Sequence, residues 1–149
     1  MRFKTYGIVS GYFNPVHRGH IDYLQEAKSN CDYLFAIINN DEQVKIKGSK
    51  PFMDEFERHR IISSIKYVDE TIVSIDTDAS VSKTIEFIIP TIVRIDRADS
   101  CDYDVLFFNS GDRNPGTYNF AENDVCNRYG VMPFFLELPK VNSSSILLS

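Results

Sequence analysis

Two of the three histidines in the chain, His17 and His20, stand three residues apart with Gly19 between them. On a helical start of ~3.6 residues per turn, both rings face the same side. Imidazoles so placed donate hydrogen bonds to phosphate oxygens, and to the charge that grows there during phosphoryl-type transfer. They belong to the segment Gly11-Tyr12-Phe13-Asn14-Pro15-Val16-His17-Arg18-Gly19-His20. Gly11 allows a tight turn, Asn14-Pro15 sets an extended-to-turn geometry, and Gly19 lets backbone approach a ligand closely. A helix beginning there offers unpaired N–H groups and the positive end of its dipole, a ready anion site. The competing readings are a plain helix entry with incidental histidines, or a metal site, for which no third ligand of suitable spacing follows. Neither Gly-x-Gly-x-x-Gly nor Gly-Lys-Ser/Thr occurs, which excludes the dinucleotide fingerprint and the P-loop as so worded.

Three further stretches could act on phosphate or nucleoside. Lys45, Lys47 and Lys50 supply mobile point charges suited to a triphosphate and an acceptor phosphate; otherwise they are a solvated surface run. In Asn109-Ser110-Gly111-Asp112-Arg113-Asn114-Pro115-Gly116, Gly111 permits backbone approach and Asp112 can accept from a ribose hydroxyl or a base edge; the alternative is an ordinary turn. Ser143, Ser144 and Ser145 precede Ile146-Leu147-Leu148, a helix-start pattern with hydroxyls at an anion-binding end, or else a frayed tail.

These loops need strands and helices to position them. Tyr6–Ser10 and Tyr33–Ile38 read as buried strands, with a helix between them from near Gly19 to about Ser29. Asn39 to Met53 is polar and without clear periodicity. A second helix starts near Asp54, with Phe56, Ile61 and Ile65 on its apolar face. Thr71–Ile75 is a strand, and Val81–Ile88 a helix closed by Pro90. Thr91–Ile95 and Tyr103–Phe108 are strand candidates, while Arg94 to Asp104 has the look of an insertion. Phe120–Tyr129 is a helix capped by Gly130, with Cys126 in its core face, and Val131–Glu137 an edge strand containing Pro133. This alternation calls for an α/β fold, a doubly wound and mainly parallel five-stranded sheet with helices on both faces. Ligands in such sheets lie beyond the strands' carboxyl ends, where the strand order reverses.

Composition limits the function classes. With 149 residues, 43% hydrophobic and 25% charged, the chain is expected to form one domain, residues 1–149, with a sizeable core. No run approaches the ~18 apolar residues of a membrane span, and no signal-peptide core opens the chain. A net charge of −5 disfavours a general nucleic-acid surface. Cys31, Cys101 and Cys126 are few and scattered, so they read as reduced thiols of a cytoplasmic protein.

The Gly11–His20 segment resembles the Gly-x-Phe-Asp-x-x-His-x-Gly-His signature of the cytidylyltransferase-like nucleotidyltransferases. Lys45-Ile46-Lys47-Gly48-Ser49-Lys50-Pro51 is similar to that family's Lys-Gly loop. Glu57-Arg58, with Ile61, Tyr67, Val68 and Asp69, is similar to its Glu-Arg helix and its ending. The resemblance implies a Rossmann-like domain that moves a nucleotidyl group, CMP in the first instance, from a nucleoside triphosphate to a phosphate monoester such as glycerol 3-phosphate or a sugar phosphate. It implies Mg²⁺ with the triphosphate, pyrophosphate as product, and a homodimer. His17, His20, Lys47 and Arg58 would be catalytic, with Arg58 reaching the acceptor phosphate and Lys47 or Lys45 the α-phosphate. Gly11, Tyr12, Phe13, Asn14, Gly19, Gly111, Asp112 and Arg113 would hold the nucleotide, and the hydroxyls of Ser143, Ser144 and Ser145 its β- and γ-phosphates. Three departures stand out: Asn14 replaces the signature's Asp, Arg113 stands where an aromatic is common, and the final lysine is missing. Asn keeps the hydrogen-bonding shape of Asp but loses its charge. The Asn-Pro wording is also similar to the nicotinamide-nucleotide adenylyltransferases, which keeps ATP in play. An adenylyltransferase and a nucleotide-binding module without turnover are the alternative readings.

Overall fold

A computed structural model describes residues 4–96, 102–109 and 121–137. Five strands, β1 (Lys4–Gly11), β2 (Tyr33–Ile38), β3 (Glu70–Val73), β4 (Tyr103–Asn109) and β5 (Met132–Phe135), form one sheet in the order β3-β2-β1-β4-β5. Every neighbouring pair is parallel. The order reverses at β1, which pairs with both β2 and β4, so the loop leaving β1 opens at the switch point. The helices are α1 (Arg18–Ser29), α2 (Asp41–Ile46), α3 (Glu55–Ser63), α4 (Ser82–Asp96) and α5 (Asn123–Tyr129). This is the expected Rossmann-like architecture.

Strand alternation sorts the core into two layers. Tyr6 and Ile8 of β1, Phe35 and Ile37 of β2 and Val105 and Phe107 of β4 pack with Ile85, Ile88 and Ile92 of α4 and Val125 and Cys126 of α5. Their alternates Val9, Leu34, Ala36, Ile38 and Phe108 pack with Leu24 and Ala27 of α1 and Ile62 of α3. Helices therefore cover both faces. Gly130 caps α5 in the left-handed region, at φ 70°, as its position after a helical run implies. β5 lies at the sheet edge, where Pro133 costs least.

Three local expectations fail, each for a physical reason. Pro90 does not close a helix, and Thr91–Ile95 is not a strand; α4 runs through both. Val81, Ile85, Ile88 and Ile92 are buried at helical spacing while Pro90 is exposed, so one continuous apolar stripe outweighs the lost hydrogen bond, which costs about 3 kcal/mol. Phe56 is 73% exposed; α3 turns Arg58 and Ile62 inward instead. The stretch from Asn39 contains α2, capped by Asn40, whose side chain accepts the Gln43 N–H while Gln43 answers to the Asn40 N–H. Of the Arg94–Asp104 stretch, read as an insertion, the described ends belong to α4 and β4, and residues 97–101 lie outside the described residues.

Candidate active site

The loop leaving β1 is organised by its own histidines. His17 caps α1: its Nδ1 accepts the Gly19 N–H at 3.0 Å, and His20 Nδ1 accepts the His17 N–H at 3.1 Å. This is a capping box built from two imidazoles, where Ser and Glu usually serve. Because an N–H only donates, both Nδ1 atoms are fixed as acceptors, and each neutral ring carries its proton on Nε2. The rings lie 3.9 Å apart between centroids at 30°, and the Phe13 ring meets His20 edge-on at 5.0 Å. Burial first, then the neighbouring His17 and Lys47, push the His20 imidazole down to about 4. At neutral pH His20 is therefore an uncharged donor through Nε2–H.

The two glycines of the loop make room for side chains. A Cβ on Gly19 would stand 2.8 Å from His17 Cε1, so Gly19 clears the space for the capping ring. Whatever it admits besides, Gly19 is needed locally for that ring. Likewise a Cβ on Gly11 would meet the Phe13 ring at 2.8 Å. Phe13 itself is buried and holds φ 49°, a left-handed conformation that a phenylalanine rarely adopts.

The facing connection, from β2 through α2 to α3, is held by a buried arginine. Arg58 is 1% exposed; its Nε donates to the Met53 carbonyl, Nη1 to the Tyr12 and Asn39 carbonyls, and Nη2 to Asp41 Oδ1 at 2.7 Å. The expectation that Arg58 reaches a phosphate does not match this placement: its guanidinium is spent on joining the β1 loop, the end of β2 and α2. Gln43 and Asn40 tie α2 to the Ser74–Ser80 loop through carbonyls of that loop.

Between the two connections lies a cavity of about 170 Å³ lined by Tyr12, Phe13, Asn14, Pro15, His17, His20, Val44, Lys47, Ser49 and Phe52. Six of the expected residues thus meet in one place: Tyr12, Phe13, Asn14, His17, His20 and Lys47. The Lys47 ammonium lies 4.2 Å from the Tyr12 ring centroid, a cation–π contact that holds it on the wall. Lys45 lies outside, exposed and paired with Glu42 at 3.3 Å along α2. Gly111, Asp112, Arg113, Ser143, Ser144 and Ser145 lie outside the described residues. Val44, Ser49 and Phe52 were missed; they fall in the stretch without periodicity, where no local pattern marks a pocket wall.

Chemically, the cavity offers two imidazole donors and one ammonium at the amino end of a helix, an arrangement for a multiply charged oxyanion. Metal ligands are another matter. Among the described residues no group of three or more His, Cys, Asp or Glu could hold an ion, and Asn14 Oδ1 is taken by the Phe52 N–H. These residues do not build a magnesium site.

Residues 8–118 match the cytidylyltransferase-like family model, and the chain belongs to that family of nucleotidyltransferases. An FAD synthase of Ferroglobus placidus is 38% identical over 88 residues, covering 59% of this chain and 56% of that protein. An FAD synthase of Picrophilus torridus is 34% identical over 88 residues, with 59% and 62% covered. The bifunctional protein HldE of a Bradyrhizobium species is 34% identical over 89 residues, 58% of this chain but 18% of that protein. The matched stretch therefore spans less than two thirds of each relative. Among solved structures, a lipopolysaccharide core biosynthesis protein from Thermoplasma volcanium aligns with TM-score 0.60 at 23% identity, covering 93% of this chain and 99% of that one. A putative nicotinate-nucleotide adenylyltransferase from Vibrio parahaemolyticus gives 0.58 at 14%, with 97% and 85% covered. Both share the fold. Among the described residues no helix is long and apolar enough to cross a membrane.

Proposed function

We propose that the protein transfers a nucleotidyl group from a nucleoside triphosphate to the phosphate of a small monoester. An acceptor phosphate oxygen attacks the α-phosphorus, the bond from that phosphorus to the α–β bridging oxygen breaks, and pyrophosphate leaves with the electron pair. The observation that carries this reading is the pair of locked imidazoles, His17 and His20, which keep Nε2–H as donors and line one cavity with Lys47. Donors held in place before the reaction stabilise growing phosphoryl charge without reorganising, and nothing covalent is asked of the protein. Lys47 supplies the point charge at the α-phosphate. Magnesium, expected with the triphosphate, would be carried by the triphosphate's own oxygens.

The donor nucleotide is proposed as ATP. Relatives named FAD synthase build a product whose second half is an adenosine monophosphate unit, and these names outweigh the CMP reading drawn from the signature. Flavin mononucleotide accordingly heads the acceptor panel, ahead of sugar phosphates and glycerol 3-phosphate. The test is pyrophosphate release with ATP, CTP, GTP and UTP across that panel. Release with ATP and one acceptor class supports the reading. A preference for CTP overturns the choice of donor, and binding without release from any pair leaves a nucleotide-binding module.

A further inference from the structure

The side-chain amide of Asn14 joins the two walls of the cavity. Its Nδ2 donates to the Lys50 carbonyl at 3.0 Å, and its Oδ1 accepts the Phe52 N–H at 2.7 Å. The backbone roles are fixed, since a carbonyl only accepts and an N–H only donates. One donor and one acceptor on the same side chain are therefore required, which an amide has and an ionised carboxylate lacks. The Asp of the family signature, when charged, would set oxygen against the Lys50 carbonyl. The departure at position 14 thus has a structural consequence in this chain.

Lys47 and Ser49 precede the clamped residues on the same connection, and with Phe52 they line the cavity that holds His17 and His20. Three residues after the clamp the chain enters α3, whose Arg58 secures the far end of the connection to Tyr12 and Asn39. We propose that Asn14 is a positioning residue. It pins the Lys50–Phe52 segment to the histidine loop, and so keeps Lys47 within reach of the anion that the imidazoles bind. The catalytic half of this proposal rests on the nucleotidyl-transfer reading; the clamp itself does not.

The experiment compares the full chain with Asn14→Asp and Asn14→Ala, using residue-resolved amide exchange without ligand and steady-state kinetics with ATP. Asn14→Ala removes the Phe52 acceptor and Asn14→Asp sets a carboxylate against the Lys50 carbonyl. Each is expected to loosen this solvent-exposed clamp and speed Phe52 amide exchange about tenfold, with β1 and β2 unchanged. KM for ATP should rise about tenfold while kcat falls less, since the segment must then be ordered at each binding event. Asn14→Asp should regain Phe52 protection, corrected for intrinsic rates, as pH is lowered from 7 toward 5, because a protonated carboxyl again has one donor and one acceptor. Asn14→Ala should not. Unchanged Phe52 exchange overturns the clamp, and so does faster exchange spread through β1 and β2, which signals loss of fold. Turnover of Asn14→Asp equal to or above wild type overturns the positioning role, since position 14 would then meet the ligand or its cation directly. Should the wild-type chain turn over no nucleotide, the transfer reading fails while the exchange data still decide the clamp.

Discussion

The two walls of the cavity are built on different length scales. The wall from β1 to α1 is held by contacts two or three residues apart: Gly19 N–H to His17, His17 N–H to His20. The wall from β2 to α3 is held from far away, by Arg58 reaching Tyr12 across 46 residues and by Asn14 reaching Phe52 across 38. The first wall is a local motif and carries the donors. The second is a tertiary assembly that brings Lys47 to them. Substitutions should accordingly divide into those that spoil chemistry on an intact fold and those that loosen the fold.

The largest effect is expected on the long-range wall. Arg58→Ala takes the guanidinium from three carbonyls and from the partly exposed Asp41 carboxylate, and empties a fully buried side-chain site. It should cost about 3 kcal/mol of stability in urea denaturation. A loss under 1 kcal/mol would mean that the guanidinium is free to serve a ligand after all. On the local wall, His20→Ala should lower turnover by about 100- to 1,000-fold, as removal of one preorganised donor does. Its nucleotide Kd should change far less, and retention of most turnover would remove His20 from the chemistry.

Smaller effects sharpen the contrast. Gly19→Ala forces the His17 ring out of its cap and should cost about 1 kcal/mol of stability, together with activity. The last expectation concerns pH. His20 has its folded value lowered from 6.5 to about 4, so below about 6.5 the unfolded chain takes up a proton that the folded chain refuses. The stability this group contributes is full above that pH and is lost as pH falls toward 4. Chemical denaturation at pH 7.5 and 5 should show the fall, and His20→Asn should flatten it.

The same division explains what was legible in the sequence. The sheet and the α1 entry follow from apolar runs and from Gly, Pro and His at fixed offsets, all short-range signals. Five of the six expected residues that meet in the cavity lie together because the signature itself spans one wall; the sixth, Lys47, comes from the other. Arg58 misled because the family resemblance assigns it to the acceptor phosphate, whereas here its guanidinium is buried among backbone carbonyls. Its burial depends on three carbonyls supplied by segments that fold against it. Phe56 misled for the complementary reason: an apolar residue at helical spacing faces outward once Arg58 takes the inner side. Pro90 was overruled by the isoleucine stripe of α4, a packing term that no turn rule contains. Val44 and Phe52 gave no signal, and Ser49 only its place in the Lys-Gly loop, since their wall exists only after Asn14 and Arg58 have closed it.

The central claim is that a triphosphate docks against the Nε2–H groups of His17 and His20, and a crystal structure with a non-hydrolysable ATP analogue tests it most directly. Phosphate oxygens within about 3 Å of both Nε2 atoms, with the Lys47 ammonium turned from Tyr12 onto the α-phosphate, are the predicted result. A nucleotide bound at another edge of the sheet, with both imidazoles still capping α1 and facing no anion, would contradict it.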